Sequence, residues 1–311
     1  METRKLGGSQ LHASVIGFGA WAAGKAGWGD PDERELERAI WEAYDNGVNF
    51  FDTAPVYGFG ESERVLGRVL KPVRDQVFLA TKFGLVWDET GIRNNVARAN
   101  IFREIEESLR RLDTEYIDLY QVHWPDPEDR TPIAETIGAL NDLVKAGKIR
   151  YIGVSNFSVS QLAQAQATAP VVSLQSPYNL LQRKVEDAEL PYTHANGIGF
   201  IPYSPLAQGL LTGKFTRDSA IPADDVRKQL NPLFAPDSYA QALLKVEKLK
   251  EVANKYGKTP AQTALNWLAA KPGITTIIAG AKTSAQVREN LGGVGWRLDD
   301  EDVNLLNTWF G

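Results

Sequence analysis

Eight short apolar runs, helix-like segments between them, and the lack of an early glycine-rich nucleotide loop predict an α/β fold, closed as a (β/α)8 TIM barrel. The runs are Val15–Gly19, Val48–Asp52, Val77–Thr81, Ile117–Val122, Ile149–Val154, Val171–Gln175, Ile198–Tyr203 and Thr275–Ala279. They are too short for helices and rich in Val, Ile and Phe, so they read as strands. Apolar on both sides of the alternation, they suit a parallel sheet covered on both faces. The segments between them carry helix punctuation. Asp30-Pro31-Asp32-Glu33 offers a capping residue, a first-turn proline and a third-position acid, followed by Leu36, Ile40 and Ala43 on one face and a stop at Gly47. Ile101, Ile105, Leu109 and Leu112 make a second apolar stripe. Thr131-Pro132 opens a third helix through Ile137, Leu140 and Val144, and Thr259-Pro260-Ala261-Gln262 is a capping box leading into Leu265 and Leu268.

Eight strands alternating with helices, joined by right-handed crossovers, argue for a closed barrel. The alternative, an open doubly wound sheet, carries G-x-G-x-x-G after its first strand, and Gly17-Phe18-Gly19 lacks the third glycine. Two features stand outside the alternation. Lys5-Leu6-Gly7-Gly8-Ser9, with the residues leading up to Val15, predicts an N-terminal hairpin that plugs the barrel bottom. The connection between strands seven and eight is long and carries a Pro-, Asp- and Gly-rich excursion, Gln208–Pro236, before a helix from about Ser238. With no internal repeat or low-complexity tract, residues 1–311 are expected to form one domain.

Composition narrows the function classes. A net charge of −5 argues against a nucleic-acid or anionic-membrane partner. No stretch approaches the roughly 18 apolar residues of a membrane helix, and no secretory signal is visible, so a cytoplasmic location is expected. With no cysteine and three histidines, thiol catalysis and iron–sulfur clusters drop out and little remains for a metal site.

Barrel active sites lie at the C-terminal ends of the strands. There the second strand ends in Asp52, with Tyr57 in the loop after it; the third ends in Thr81-Lys82, and the fourth in Val122-His123-Trp124. An acid, a phenol, an amine and an imidazole thus meet one rim. A nearby cation lowers a phenol's pKa of about 10 by roughly 1–3 units, and Lys82 is the available cation, held charged by Asp52. His123 would orient a substrate carbonyl while Tyr57 gives it a proton. Each residue has a plainer reading: Asp52 as a loop cap, Tyr57 as rim packing, Lys82 as an ion-pair partner, His123 as a satisfied buried histidine. Their convergence from three neighbouring strand ends favours the chemical one.

Asn49-Phe50-Phe51-Asp52-Thr53-Ala54-Pro55-Val56-Tyr57-Gly58, Ala80-Thr81-Lys82 and Gln121-Val122-His123-Trp124 resemble the aldo-keto reductase superfamily. The likeness continues through Gly147-Lys148-Ile149-Arg150-Tyr151-Ile152-Gly153-Val154-Ser155-Asn156-Phe157 and Tyr203-Ser204-Pro205-Leu206. The wording is similar to the bacterial general reductases related to potassium-channel β subunits. The resemblance implies a soluble oxidoreductase that reduces aldehydes and ketones with NADPH, with NADH as the weaker alternative. Tyr57 would be the general acid, Lys82 and Asp52 the pair that tunes it, and His123 the carbonyl orienter.

It also implies a cofactor site. Ser155, Asn156 and Gln175 match the residues that bond the nicotinamide carboxamide, and Tyr203 the aromatic stacked on its ring. Ser204, Leu206, Gln208, Gly209, Thr212 and Lys214 match the pyrophosphate side. Gly280, Lys282, Thr283, Gln286, Glu289 and Asn290 match the adenosine-phosphate end, where the spacing of Thr283 and Gln286 is also that of a capping box. Many family members have Arg where Gln286 stands, so the grip on a 2′-phosphate is expected to be weaker here. Trp21, counted with both cofactor and substrate, would wall an apolar pocket with Trp87 and Trp124. The chain stops soon after a final helical segment, Glu301–Trp309, and the expectation is an open, permissive pocket for a small carbonyl compound. The sequence leaves the oligomeric state open. Two other functions are weighed: a redox sensor that holds NADPH without turning over, and a Schiff-base aldolase using Lys82.

Overall fold

A computed structural model describes residues 1–24, 32–219, 221, 225, 227, 228 and 231–311. Its centre is an eight-stranded parallel sheet. In chain order the strands are β3 (Ile16–Gly19), β4 (Phe50–Asp52), β5 (Phe78–Phe83), β8 (Ile117–Val122), β9 (Ile149–Ser155), β10 (Val171–Pro177), β11 (Gly199–Tyr203) and β12 (Ile277–Gly280). Their spatial order is β11-β10-β9-β8-β5-β4-β3-β12, and a parallel bridge between Phe200 and Ile274 joins the two edges. All eight apolar runs are strands, as the (β/α)8 reading requires.

The hairpin is present. β1 (Thr3–Lys5) pairs antiparallel with β2 (His12–Ser14). Leu6, Leu11 and Ala13 pack with Phe50, Ala80, Leu119, Val172, Ile201 and Ile278 in one buried cluster that fills the barrel's lower interior. This closes the end at which the strands begin and leaves the other end for the site.

Helices cover the outside. They are α1 (Glu33–Asp45), α2 (Glu61–Leu70), α3 (Arg98–Leu112), α4 (Ile133–Lys145), α5 (Val159–Thr168), α6 (Glu189–Ala195), α7 (Pro236–Lys255), α8 (Pro260–Ala269), α9 (Ser284–Leu291) and α10 (Asp300–Phe310). Their apolar stripes face the sheet: Leu36, Ile40 and Ala43 on α1, and Ile101, Ile105 and Leu112 on α3, are buried, while Leu109 is half-buried. The Thr259–Gln262 capping box forms as expected.

Three details differ from the sequence reading. Asp32 caps α1, accepting from the Glu35 N–H at 2.9 Å; the expected cap, Asp30, lies with Pro31 outside the described residues. Thr131 does not cap α4, which begins at Ile133 without a side-chain cap. The long helix starts at Pro236 instead of Ser238, because a proline's fixed φ suits the first helical turn. A second hairpin is absent from the sequence reading. β6 (Leu85–Asp88) and β7 (Gly91–Asn94) leave the end of β5 as an antiparallel pair, with Trp87 opposite Ile92.

Candidate active site

At the mouth, β4 and β5 deliver their charges from adjacent strands. Asp52 and Lys82 are both buried, with the Lys82 Nζ donating to Asp52 Oδ1 at 2.6 Å and to the Thr53 carbonyl at 2.9 Å. The Tyr57 Oη lies 3.4 Å from the same nitrogen. His123, at the end of β8, sets its ring edge-on to Tyr57, with centroids 5.8 Å apart and planes at 83°. The four side chains predicted from three strand ends therefore stand together.

The loop carrying Tyr57 is fixed by its neighbours. Its turn is closed by Tyr57 N–H to the Ala54 carbonyl (3.1 Å) and Ser62 N–H to the Tyr57 carbonyl (3.2 Å). The Ser62 hydroxyl donates to the Ala20 carbonyl at 2.7 Å. Gly24 and Gly58 allow this approach: a Cβ on Gly24 would meet the Tyr57 carbonyl carbon at 2.4 Å, and Gly58 has φ +64°. The turn Trp21–Gly24 so brings the Trp21 ring within 5.9 Å of the Tyr57 ring.

Electrostatics sets the protonation. Burial pushes the Tyr57 phenol above its ordinary value; Lys82 pulls it down and Asp52 pushes it up. The lysine acts in the expected direction, but desolvation outweighs it, so the net shift is opposite to the expected lowering. The phenol keeps its proton through the neutral range. Burial would discharge Lys82, yet Asp52 and Tyr57 together hold its ammonium above the usual value. Burial, then the charge of Lys82, holds His123 well below its usual value, and it is neutral.

A second layer lies behind the carboxylate. Asp52 Oδ2 accepts from the Gln175 Nε2 at 2.9 Å and the Gln121 Nε2 at 3.1 Å. The sequence reading gave Gln175 only a cofactor role and Gln121 none. Gln121 stands inside the Gln121-Val122-His123-Trp124 motif, two residues before His123, which was the available signal.

The other predicted residues sort by place. Ser155 donates to the Gln175 carbonyl at 3.0 Å, and Asn156, at φ +62°, donates to both the Ser155 hydroxyl and the His123 carbonyl at 3.0 Å. Tyr203 donates to the Asn156 Oδ1 at 3.0 Å. These four form one polar strip, in which burial raises the Tyr203 phenol above its ordinary value. Past β11 the chain turns through Ser204 (φ +50°) and Leu206 into Gln208 (φ +54°) and Gly209 (φ +100°). Gln208 accepts from Asn231 at 3.1 Å, and Thr212 donates to the Gly209 carbonyl at 2.7 Å.

At the far end, Thr283 caps α9 by accepting from the Gln286 N–H at 3.2 Å, while Gln286 Oε1 turns back onto the Lys282 N–H at 2.7 Å. Asn290 donates to the Gly280 carbonyl at 3.2 Å. Glu289 points instead to the start of α8, accepting from Thr259 and, at 3.4 Å, from Gln262. Lys282 and Lys214 are held below their usual values by burial first and then by Arg227, with Lys214 also acting on Lys282. Lys214 and Arg227, both on the connection after β11, and Lys282, just past β12, thus act on one another as like charges, with Asp225 opposing them. Arg227, which the sequence reading did not single out, is bonded to Asp225 and lies over the Phe215 ring at 5.4 Å.

Of the three tryptophans expected to wall the pocket, Trp21 faces Tyr57, Trp87 on the β6–β7 hairpin packs against Phe59 at 5.4 Å, and Trp124 is exposed. Among the described residues no cluster of His, Cys, Asp and Glu could hold a metal ion, and no helix is long and apolar enough to cross a membrane.

This arrangement can be set beside known proteins. The chain is 42% identical over 311 residues to "Aldo-keto reductase YhdN" of Bacillus subtilis (strain 168), covering 99% of this chain and 93% of that one. It is 35% identical to the "NADH-specific methylglyoxal reductase" of Escherichia coli (strain K12), covering 98% and 97%. It is 34% identical to a "Probable voltage-gated potassium channel subunit beta" of Arabidopsis thaliana, covering 94% and 90%. Among solved structures, the "glycerol dehydrogenase AKR11B4 from Gluconobacter oxydans" superposes with a TM-score of 0.91 at 38% identity, over 99% of this chain and 94% of that one. The family model described as "Aldo/keto reductase family" matches residues 15–309, and the chain belongs to that family.

Proposed function

We propose that this protein reduces aldehydes and ketones to alcohols with NADPH, using Tyr57 as the general acid. The observation that carries the reading is a phenol whose Oη stands 3.4 Å from the buried Lys82 Nζ, its ring edge-on to the His123 imidazole. A carbonyl oxygen placed between Tyr57 and His123 would meet two donors, and a positioned acid contributes roughly 10²–10⁴ in rate. Lys82 stabilises the phenolate left when Tyr57 gives up its proton, and Asp52 keeps Lys82 charged. That same bond speaks against the aldolase reading, since an ammonium at 2.6 Å from a carboxylate is not a free amine nucleophile.

The residues present fit a nicotinamide dinucleotide. Lys214, Arg227 and Lys282 act on one another as like charges, with Asp225 paired to Arg227, and would suit phosphates. Thr283 and the N–H groups opening α9 suit the same chemistry. Ser155, Asn156 and Gln175 would hold the carboxamide, with Tyr203 against the ring. A dinucleotide held there would supply the hydride for the carbonyl carbon. Gln286 brings no charge, so the preference for NADPH falls to Lys282, with its neighbours. The small carbonyl substrate would enter past Trp21 and the Phe59–Trp87 pair.

The test is NADPH and NADH oxidation with activated aldehydes and diketones. Tyr57→Phe should lose at least about 10²-fold in kcat with NADPH affinity kept; wild-type turnover in that variant refutes the acid. Lys282→Ala should weaken NADPH binding by roughly tenfold and NADH binding little, read by titrating protein fluorescence. Tight NADPH binding with no single turnover on any carbonyl would favour the sensor reading that the channel-subunit relative raises.

A further inference from the structure

We infer that Gln121 is a positioning residue for the proton donor, acting through Asp52 and Lys82 on Tyr57; the inference rests on the reductase reading above. Asp52 divides its carboxylate between two tasks. Oδ1 takes the ammonium of Lys82 at 2.6 Å, and Oδ2 takes the two amides, Gln175 at 2.9 Å and Gln121 at 3.1 Å. The Gln175 Nε2 also reaches the Gln121 Oε1 at 3.3 Å, so the three side chains close a ring. A carboxylate ion-paired to lysine only accepts, so both amides must turn their N–H groups towards it.

The ring resists rotation of the carboxylate about its Cβ–Cγ bond. That rotation matters because Lys82 is a three-donor group with three addresses: Asp52 at 2.6 Å, the Thr53 carbonyl at 2.9 Å and Tyr57 at 3.4 Å. The contact with Tyr57 is the longest, and a swing of Oδ1 would be felt there first. Gln121 is fully buried and sits in register with Lys82 on the neighbouring strand. Packing alone does not call for an amide here. Leu119, two residues earlier on the same strand, lies in the apolar cluster of the barrel interior, and an amide is costly to bury unless bonded. The chain also makes room for it: a Cβ on Gly153 of β9 would lie 2.9 Å from the Gln121 Cγ.

Two variants and one reference test this. Gln121→Leu keeps most of the volume and removes the bonds; Gln121→Glu keeps the shape and adds a charge. For a positioning role, Gln121→Leu lowers kcat about tenfold or more, while KM and the NADPH dissociation constant stay within about twofold. Gln121→Glu sets a second carboxyl against Asp52 that shares a proton with it at neutral pH. Once both are ionised in the alkaline range where the phenol titrates, the added negative charge raises the titration point of the Tyr57 phenol by about one pH unit. That shift is read by ultraviolet difference titration, with the Tyr57→Phe and Tyr57→Phe/Gln121→Glu proteins as the respective references.

The titration needs no turnover, so the two readings fail separately. An active Tyr57→Phe protein would remove the acid assignment, while the phenol shift would still report the coupling. Wild-type kcat in Gln121→Leu, or an unmoved phenol in Gln121→Glu, overturns the inference. Should melting show that Gln121→Leu does not fold, the isosteric Gln121→Glu decides alone.

Discussion

Strand β5 separates two buried charge networks that look alike in composition and differ in what they leave open. On its inner side, Lys82 joins Asp52 and stops 3.4 Å short of a phenol at the barrel mouth. On its outer side, the preceding residue Thr81 donates to Glu63 of α2 at 2.7 Å, and Glu63 in turn holds Arg111 of α3 at 2.6 Å. Residues on successive strand positions face opposite ways, so one step along the chain moves from the candidate site to the helix layer. The outer network ties two helices to the sheet; the inner one ends on a group that can give its proton away. Burial of an ion pair therefore says little about function by itself. What separates the two is the titratable partner aimed at the opening.

Lys82→Met probes the inner side and should have the largest effect. On the proposed reading it removes the charge that would stabilise the Tyr57 phenolate, and kcat should fall by roughly 10²–10⁴. It also leaves the buried Asp52 unpaired, at a stability loss of about 3–5 kcal/mol. Steady-state kinetics and urea unfolding measure the two losses separately. A variant that is destabilised yet fully active would make Lys82 another architectural ion pair and erase the contrast.

Arg111→Met probes the outer side. Glu63 has no exposed surface, so losing its partner should cost about 3–5 kcal/mol of stability. The turnover of the molecules that remain folded should stay within about twofold of wild type. Pairing it with Glu63→Gln, which removes the stranded charge, should restore much of the loss. A fall in kcat comparable with that of Lys82→Met would show that the two sides of β5 are coupled.

How much of this could be read from the sequence divides along the same line. The strands were legible because each is a short, mostly apolar run, and the polar residues at or just past their ends were legible because barrel geometry gathers strand ends. The outer network was not. Glu63 and Arg111 stand 48 positions apart on amphipathic helices, where charges ordinarily read as solvated. Gln175 and Asp52, 123 positions apart, were each given a role without any sign that they touch. The β6–β7 hairpin escaped because its second strand, Gly91–Asn94, holds a single apolar residue, Ile92, and that residue is exposed. Helix starts shifted by two residues where two acids or a proline offered competing caps.

The smallest effect expected is a pH dependence on the outer side. Glu104 of α3 is buried beneath the turn after β5, accepting from the Gly84 N–H at 3.2 Å and from Asn100. Burial raises its carboxyl to about 7; the Gly84 and Asn100 bonds and Arg103 oppose the rise, and Glu107 adds to it. The Tyr120 hydroxyl, pushed well up by burial and then by Glu104 and Glu63, has no hydrogen-bond partner among the described residues and stays protonated. A carboxyl whose folded-state pKa exceeds its unfolded value near 4.3 stabilises the fold fully below that value and ceases to as pH rises through about 7. Glu104→Gln mimics the protonated acid at every pH. Relative to wild type, it should therefore gain roughly 2–3 kcal/mol between pH 5 and pH 8. Denaturant midpoints measured at both values check this, and kcat should not change with them. If kcat does change, the turn at Gly84 is transmitting the state of Glu104 to Lys82, two residues back on the same strand, and the outer network belongs to the mechanism after all.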